Sequence, residues 1–345
     1  MERVRLADVA AAAGVSQTTA SIVLNDREAG IAEGTKERVI AAALELGYRP
    51  NASARALRRR RTDSLALITD AIATTPYAGE IILGAQDFAW ANGYVLYIVD
   101  SNGSAEIEQA AVEAMLDRQI EGLMFAAMHT RGVVLPPVAA TLPTVFINCF
   151  VDPTAPHAVE VIPDDRRGGY DATELLLAAG HRRIALINGD SSTHAWIERR
   201  LGFLDAFAER GLEADLSLIR EGNWLPDGAF AIAHDLFSGG EPPTALVCAN
   251  DRSAYGVYDA LRELGLSIPG DVSVVGYDDQ EISRFARPPL TTIALPHYEL
   301  GRRGCELLLS GPRMSPTREL VPCPPRLRNS VGSPRVRDGR TRPAT

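Results

Sequence analysis

The spacing of apolar positions changes along this 345-residue chain. Near the start, Leu6, Val9, Ala10 and Ala13 fall at i, i+3, i+4 and i+7, which is one face of a helix. Gly14 stops that helix. Ser16 is placed to cap a second one, with Ala20, Val23 and Leu24 facing inward. A third helix, expected to be capped by Thr35, carries Val39, Ala42, Ala43 and Leu46 and stops at Gly47. From Ser64 onward the rhythm differs. Short apolar runs alternate with longer amphipathic stretches: SLALIT (64–69), YVLYIV (94–99), GLMFAA (122–127), TVFIN (144–148), RIALIN (183–188), TALVCA (244–249) and VSVVGY (272–277). Strands alternating with helices predict βαβ units and parallel sheets. Seven such runs are too many for one small sheet, so two doubly wound halves are expected. A ligand in such folds sits beyond the C-terminal ends of the strands.

The first two helices carry a finer pattern. Val9, Ala13, Val15, Ala20 and Val23 are apolar, Ala10 is small and Gly14 fills the turn. Two helices crossing steeply over a short turn leave no room for a large side chain at Ala10, and the turn favours the positive φ that glycine adopts freely. This is the pattern of a helix-turn-helix, whose second helix enters the major groove. The outward face of that helix carries no charge, which is odd for a solvated surface and apt for reading base edges. Gln17 and Thr18 can hydrogen-bond bases, Ile22 can touch a thymine methyl, and Ser16 with the helix N-terminus can face phosphate. Thr19, Ser21 and Asn25 complete the expected contacts on this helix, and Asn51 and Arg55 add to them from the next segment.

That segment, NASARAL (51–57), is a short alanine-rich helix followed by four arginines. Alone it would be marginal. Leu57 is a large apolar residue there with no core nearby, so it is expected to wedge between base steps in the minor groove once DNA orders the helix. Charge agrees with this division. Residues 1–61 hold 11 Lys and Arg against 7 Asp and Glu, whereas the whole chain carries a net −9. A basic head on an acidic body meets a polyanion through the head alone.

VRLADVAAAAGVSQTTASIVLN, TKERVIAAALELGYRPNASARAL, VVGYDD and PPLTTI together resemble the LacI/GalR family of bacterial transcriptional regulators. The resemblance spans about residues 4–325. It implies an N-terminal all-α helix-turn-helix head (1–50), a hinge helix and linker (51–62), and an α/β core of two doubly wound parallel-sheet subdomains like a periplasmic sugar-binding protein. The subdomains are expected at 63–162 with 293–322, and at 163–292, and residues 323–345 are read from their proline and arginine content as a disordered tail. The resemblance also implies a homodimer on a near-palindromic operator. Gln17, Thr18 and Ile22 would read bases, and Leu57 would act as the minor-groove lever. Many members carry Arg where this chain has Ile22, a departure that bears on the operator sequence.

Within the core, residues near strand ends are the candidates for a ligand site: Arg199, Trp224, Asn250, Asp251, Asp278 and Asp279, with Asp70, Tyr77 and Asn148 from the first half. Carboxylates and amides bind hydroxyls, an arginine donates a fork and an indole packs on the apolar face of a sugar. A strand-end Asp caps a helix more often than it binds ligand, and Asp251 is read as the cap of a helix beginning near Arg252. By resemblance, Arg199, Asn250 and Asp278 fall on effector-contacting positions and Trp224 on an aromatic often found there.

Other classes find little support. There is no GxSxG, HExxH, Walker loop or dinucleotide fingerprint, and the six histidines are not at ligand spacing. The expectation is a protein without enzymatic activity, metal or cofactor. Four scattered cysteines form no CxxC pair, and no apolar run is long enough to span a membrane. The N-terminus has no apolar core of a signal peptide, so a cytoplasmic, nucleoid-associated protein is expected. The sequence thus reads as a sequence-specific DNA-binding regulator, a repressor, controlled allosterically by a small ligand of the sugar type. The alternative is a soluble cytoplasmic carbohydrate-binding or sugar-processing protein whose helical head does something other than bind DNA.

Overall fold

Uninterrupted apolar runs become central strands because a parallel sheet is covered on both faces. In SLALIT all six residues are buried, as are all five of IALIN. The computed structural model describes residues 4–24, 30–48, 61–75, 78–134, 136–151, 158–311 and 315–335. It contains two units, residues 1–63 and residues 64–345.

Among the described residues the first unit holds the helices α1 (Leu6–Ala13), α2 (Gln17–Leu24) and α3 (Glu33–Glu45). Val9, Ala10, Ala13, Ala20, Val39, Ala42 and Ala43 form its core, most of it small side chains that let short helices approach closely. Gly14 closes α1 at φ 63° with open space around it, so the left-handed backbone and not crowding demands glycine there. The third helix begins earlier than expected. Ala32, and not Thr35, is its N-cap, and the acidic Glu33 occupies its first turn, where the helix dipole favours a negative charge.

The second unit has two six-stranded sheets. The first runs β11-β5-β4-β3-β1-β2 and is built from β1 (Ser64–Thr69), β2 (Val95–Asp100), β3 (Leu123–Gly132), β4 (Thr144–Phe150), β5 (Val159–Pro163) and β11 (Thr317–Val321). All its pairings are parallel. The second runs β12-β10-β9-β8-β6-β7, from β6 (Ile184–Asn188), β7 (Ile219–Glu221), β8 (Ala245–Cys248), β9 (Ser273–Asp278), β10 (Thr291–Ala294) and β12 (Pro325–Arg326). Among the described residues only β12, at its edge, pairs antiparallel. Helices α4 (Gly79–Ala91), α5 (Ala105–Asp117), α6 (Asp165–Ala178), α7 (His194–Glu209), α8 (Pro226–Ser238), α9 (Asp251–Glu263), α10 (Glu281–Phe285) and α11 (His297–Leu309) cover the two sheets. Each lobe therefore has a core on either face of its sheet.

Two further expectations need correction. The expected change of lobe at 292/293 cuts through β10, which pairs with β9 along its whole length, so the chain leaves the second sheet only after Ala294. Residues 323–335 are also ordered and not a disordered tail. Cys323 and Ser330 are buried, β12 adds a strand to the second sheet, and Arg328 and Arg335 bind Asp279 and Asp271. A Pro- and Arg-rich composition misleads here because these arginines are matched by carboxylates far back in the chain. The chain consequently passes between lobes three times, after β5, β10 and β11.

Candidate functional site

On α2, Ser16 accepts a hydrogen bond from Thr19 N at 3.1 Å, and its hydroxyl meets that of Thr19 at 2.9 Å. The cap is the one expected, and it occupies part of the hydrogen-bonding capacity of both residues. Gln17 and Thr18 are exposed, Ser21 and Ile22 half-buried, and Ala20 fully buried against the other helices. The outward face is thus made of short uncharged groups on a rigid element. Asn25, Asn51, Arg55 and Leu57 lie outside the described residues.

In the second unit a cavity of about 440 Å³ collects strand ends from both sheets. Met128, His129 and Thr130 come from β3, Asn148 from β4 and Asp278 from the end of β9. Asp190 and Ser192 follow β6, Trp224 follows β7, Asn250 follows β8 and His297 follows β10. This is where the doubly wound topology places a ligand. Arg199, Asn250, Asp278, Trp224 and Asn148 all reach it, as expected from the sequence.

Arg199 is held tightly. Its Nε donates to Asp165 Oδ1 at 2.8 Å, its Nη1 donates to Ala249 O at 2.5 Å, and its guanidinium stacks 3.5 Å from the Tyr277 ring centroid. Burial works against its charge, and Asp165 with its neighbours outweighs that, so its pKa stands above the ordinary arginine value. The helix that carries it lies very close to α6: a Cβ on Gly202 would sit 1.9 Å from Arg166 O, and one on Gly169 would sit 2.4 Å from Arg199 O. Glycine at these two contacts fixes the depth of the arginine.

Asp278 sits at φ 100°, an unusual conformation for a residue with a side chain, and Asn148 and Trp224 also have positive φ, at 54° and 63°. Such strain concentrates where a scaffold holds groups for function. Burial pushes the Asp278 carboxyl up to about 6, against the pull of Arg199 and a hydrogen bond from Gln280 Nε2 at 2.9 Å. The Trp224 indole covers Gly189, where a Cβ would lie 1.9 Å from the ring. Asn250 caps α9 by accepting from Ser253 N at 2.7 Å, and its amide donates to Trp224 O at 3.2 Å. The cap is therefore Asn250 and not Asp251. Asp251 is buried one residue further on and accepts from Thr292 Oγ1 at 2.6 Å.

Asp70 is not part of the cavity lining. It accepts from Met128 N at 2.9 Å and pairs with Arg131 at 2.9 Å, so its carboxylate is taken up behind the β3 residues that do line it. Tyr77 lies outside the described residues. The structure adds Asp165, His129, Arg252, Gln280 and His297 to the lining. Gln280 follows VVGYDD directly, and Asp165 stands one residue after the helix cap Asp164, a place where sequence alone suggests only capping. The four cysteines are free and buried. No helix among the described residues is long and apolar enough to cross a membrane.

Known proteins share this arrangement. Residues 5–51 match the family described as bacterial regulatory proteins, lacI family. Residues 62–324 match that described as periplasmic binding proteins and sugar binding domain of LacI family. The HTH-type transcriptional repressor PurR of Vibrio atlanticus is 33% identical over 304 residues, 88% of this chain and 90% of the repressor. The ribose operon repressor of Haemophilus influenzae is 32% identical over 302 residues, again 88% of this chain and 90% of the repressor. Among solved structures, the lac repressor dimer bound to operator and the anti-inducer ONPF aligns over 96% of this chain and 100% of that chain. The TM-score is 0.78 and the identity 29%.

Proposed function

The chain belongs to the LacI family of bacterial regulatory proteins, and from that premise we propose that it is an operator-binding transcriptional repressor whose grip on DNA is set by a sugar bound in the cavity between the two lobes. The observation that carries this reading is the lining itself. Asp278, Asn250, Asn148 and a fixed Arg199 offer acceptors and donors around a half-buried indole, Trp224. Hydroxyl groups satisfy such a set in several directions at once, while the indole takes an apolar sugar face.

Two copies pair and set their α2 helices into successive major grooves, roughly one helical turn of about 34 Å apart. Gln17 and Thr18 meet base edges, Ile22 a thymine methyl, and Leu57 opens a base step from the minor groove. A sugar bridging the lobes favours one lobe arrangement over another. It need only bind that arrangement better, and coupling of ~1–3 kcal/mol is typical. The expected sense is release of the operator. The relatives named above are repressors, and the protein is read as a binding protein and not a catalyst.

Mobility shift of DNA from upstream of its own gene tests the DNA half of the proposal. Binding that weakens steeply with salt, with the slope of several phosphate contacts, supports it. A protein that shifts no such DNA at low salt contradicts it. Leu57→Ala sharpens the test: a loss much larger on operator than on random DNA supports the wedge, and an equal loss on both removes it.

A further inference from the structure

The turn after β9 carries two non-glycine residues in the left-handed region, Asp278 at φ 100° and Asp279 at φ 56°. Such a pair persists only where its surroundings hold it. Here the turn is gripped from two sides. Asp251 Oδ2 accepts from Gln280 N at 2.7 Å. On the other side, Arg328 donates to Asp279 Oδ1, and its second branch donates to Leu290 O at 2.7 Å and to Ser283 Oγ at 3.1 Å. Arg284 and Arg326 also approach Asp279, each at 3.7 Å, but they are far more open to water, where an ion pair contributes little.

Arg328 is itself fixed by the final segment. Its N–H donates to Thr291 Oγ1 at 2.9 Å. Two residues on, the buried Ser330 hydroxyl donates to Val274 O at 2.6 Å and accepts from Thr291 N at 2.8 Å. The gripped residue, Asp279, is flanked by the two residues of the turn that line the cavity, Asp278 and Gln280.

We propose that Arg328 is a positioning residue for the cavity: through Asp279 it holds the Asp278–Gln280 turn in the geometry that offers the Asp278 carboxylate and the Gln280 amide to the ligand. The proposal rests on the reading of this cavity as the effector site. It gives the segment beyond Pro322 a role in building that site, through a residue that never touches the ligand.

The test uses the full chain without ligand, in the variants Arg328→Ala and Arg328→Lys. In Arg328→Ala, amide exchange over residues 278–281 is expected to rise about tenfold or more, while β6, β8 and the first lobe hold their protection. Arg328→Lys, which keeps a cation for Asp279, is expected to restore most of it. In ¹³C-carboxyl spectra, the Asp278 midpoint, held above the ordinary carboxyl value by burial in the native protein, is expected to fall toward ~4 as the released turn meets water. Arg199, Asp165, Arg252 and Asp251 are unchanged in these variants; the neighbouring Asp279 carboxylate loses its cation, which by itself would raise the Asp278 midpoint, so a fall reports on release of the turn. Unchanged exchange at 278–281, a rise spread evenly over the lobe, or an unmoved midpoint would overturn the proposal and leave Arg328 as a fastening for the tail. Should Arg328→Ala not fold, Asp279→Asn carries the exchange readout, the midpoint being set aside there because the substitution itself removes a neighbouring charge. If Asp278→Asn takes up every sugar probe as the native protein does, the effector-site reading fails, while the exchange result still decides the role of Arg328.

Discussion

Arg199 and Asp165 form an ion pair of 2.8 Å with both side chains almost wholly out of water, 7% and 1% exposed. Removing one partner of such a pair leaves a buried charge uncompensated. Asp165→Ala should therefore destabilise the protein by ~3–5 kcal/mol, read as a lower urea midpoint. Asp165→Asn keeps an acceptor for the guanidinium and should lose less. An Asp165→Ala protein of native stability would mean that Arg199 finds another partner or turns out to solvent.

The raised pKa of Asp278 has opposite consequences for binding and for stability. Ligand hydroxyls donate to the ionised carboxylate, so sugar affinity should fall as pH drops through about 6. In the empty protein, the folded state favours the neutral acid more than the unfolded state does, since the folded pKa lies above the unfolded one. The stability lost to ionisation therefore builds up as pH rises from ~4 to about 6 and is complete above that. Asp278→Asn should raise Tm at neutral pH while abolishing sugar binding. A lower Tm in that variant would contradict the assignment of burial as the cause.

His181 provides the reverse case. Its Nδ1 meets Thr244 Oγ1 at 2.9 Å, and its Nε2 meets Ser273 Oγ at 3.0 Å and Gly332 O at 2.9 Å. Burial holds its pKa below the usual imidazole value. The folded pKa lies below the unfolded one, so the stability it contributes is complete above the unfolded value of ~6.5 and is lost as pH falls below it. Thermal melts from about pH 7.5 to about pH 5 should therefore slope more steeply in the native protein than in His181→Gln. Parallel slopes would show that the ring does not take up a proton in that range.

Gln17 stands exposed at the start of α2. Gln17→Ala should change which operator variant binds best, by roughly 1–3 kcal/mol at one base pair, in a competition assay over single-base variants. A uniform loss over all variants would assign Gln17 to the phosphates.

The parts legible from sequence were those governed by local demands. Gly14 and Ala10 announce the helix-turn-helix because a tight turn and a close crossing exclude other residues. The apolar runs announce central strands, and Asn250, Trp224 and Asp278 follow because strand ends converge on the cavity. What stayed hidden depended on partners distant in sequence. Asp70 has the look of a hydroxyl acceptor until Arg131, 61 residues away, occupies it. Arg328 and Arg335 read as solvated tail because Asp279 and Asp271 lie 49 and 64 residues upstream. The strands β7, β10 and β12 are very short, and β5 and β11 carry Glu160, Arg318 and Glu319 within them, so neither group shows an apolar run.

The central claim is that a ligand in the cavity sets the grip on DNA. The direct measurement is anisotropy of fluorescent upstream DNA bound by the purified protein, titrated with a panel of mono- and disaccharides that includes D-ribose. The account predicts that one sugar releases the DNA saturably, and that Asp278→Asn, still folded and still bound to DNA, no longer responds. DNA binding indifferent to every sugar, or a response that persists unchanged in Asp278→Asn, would contradict it.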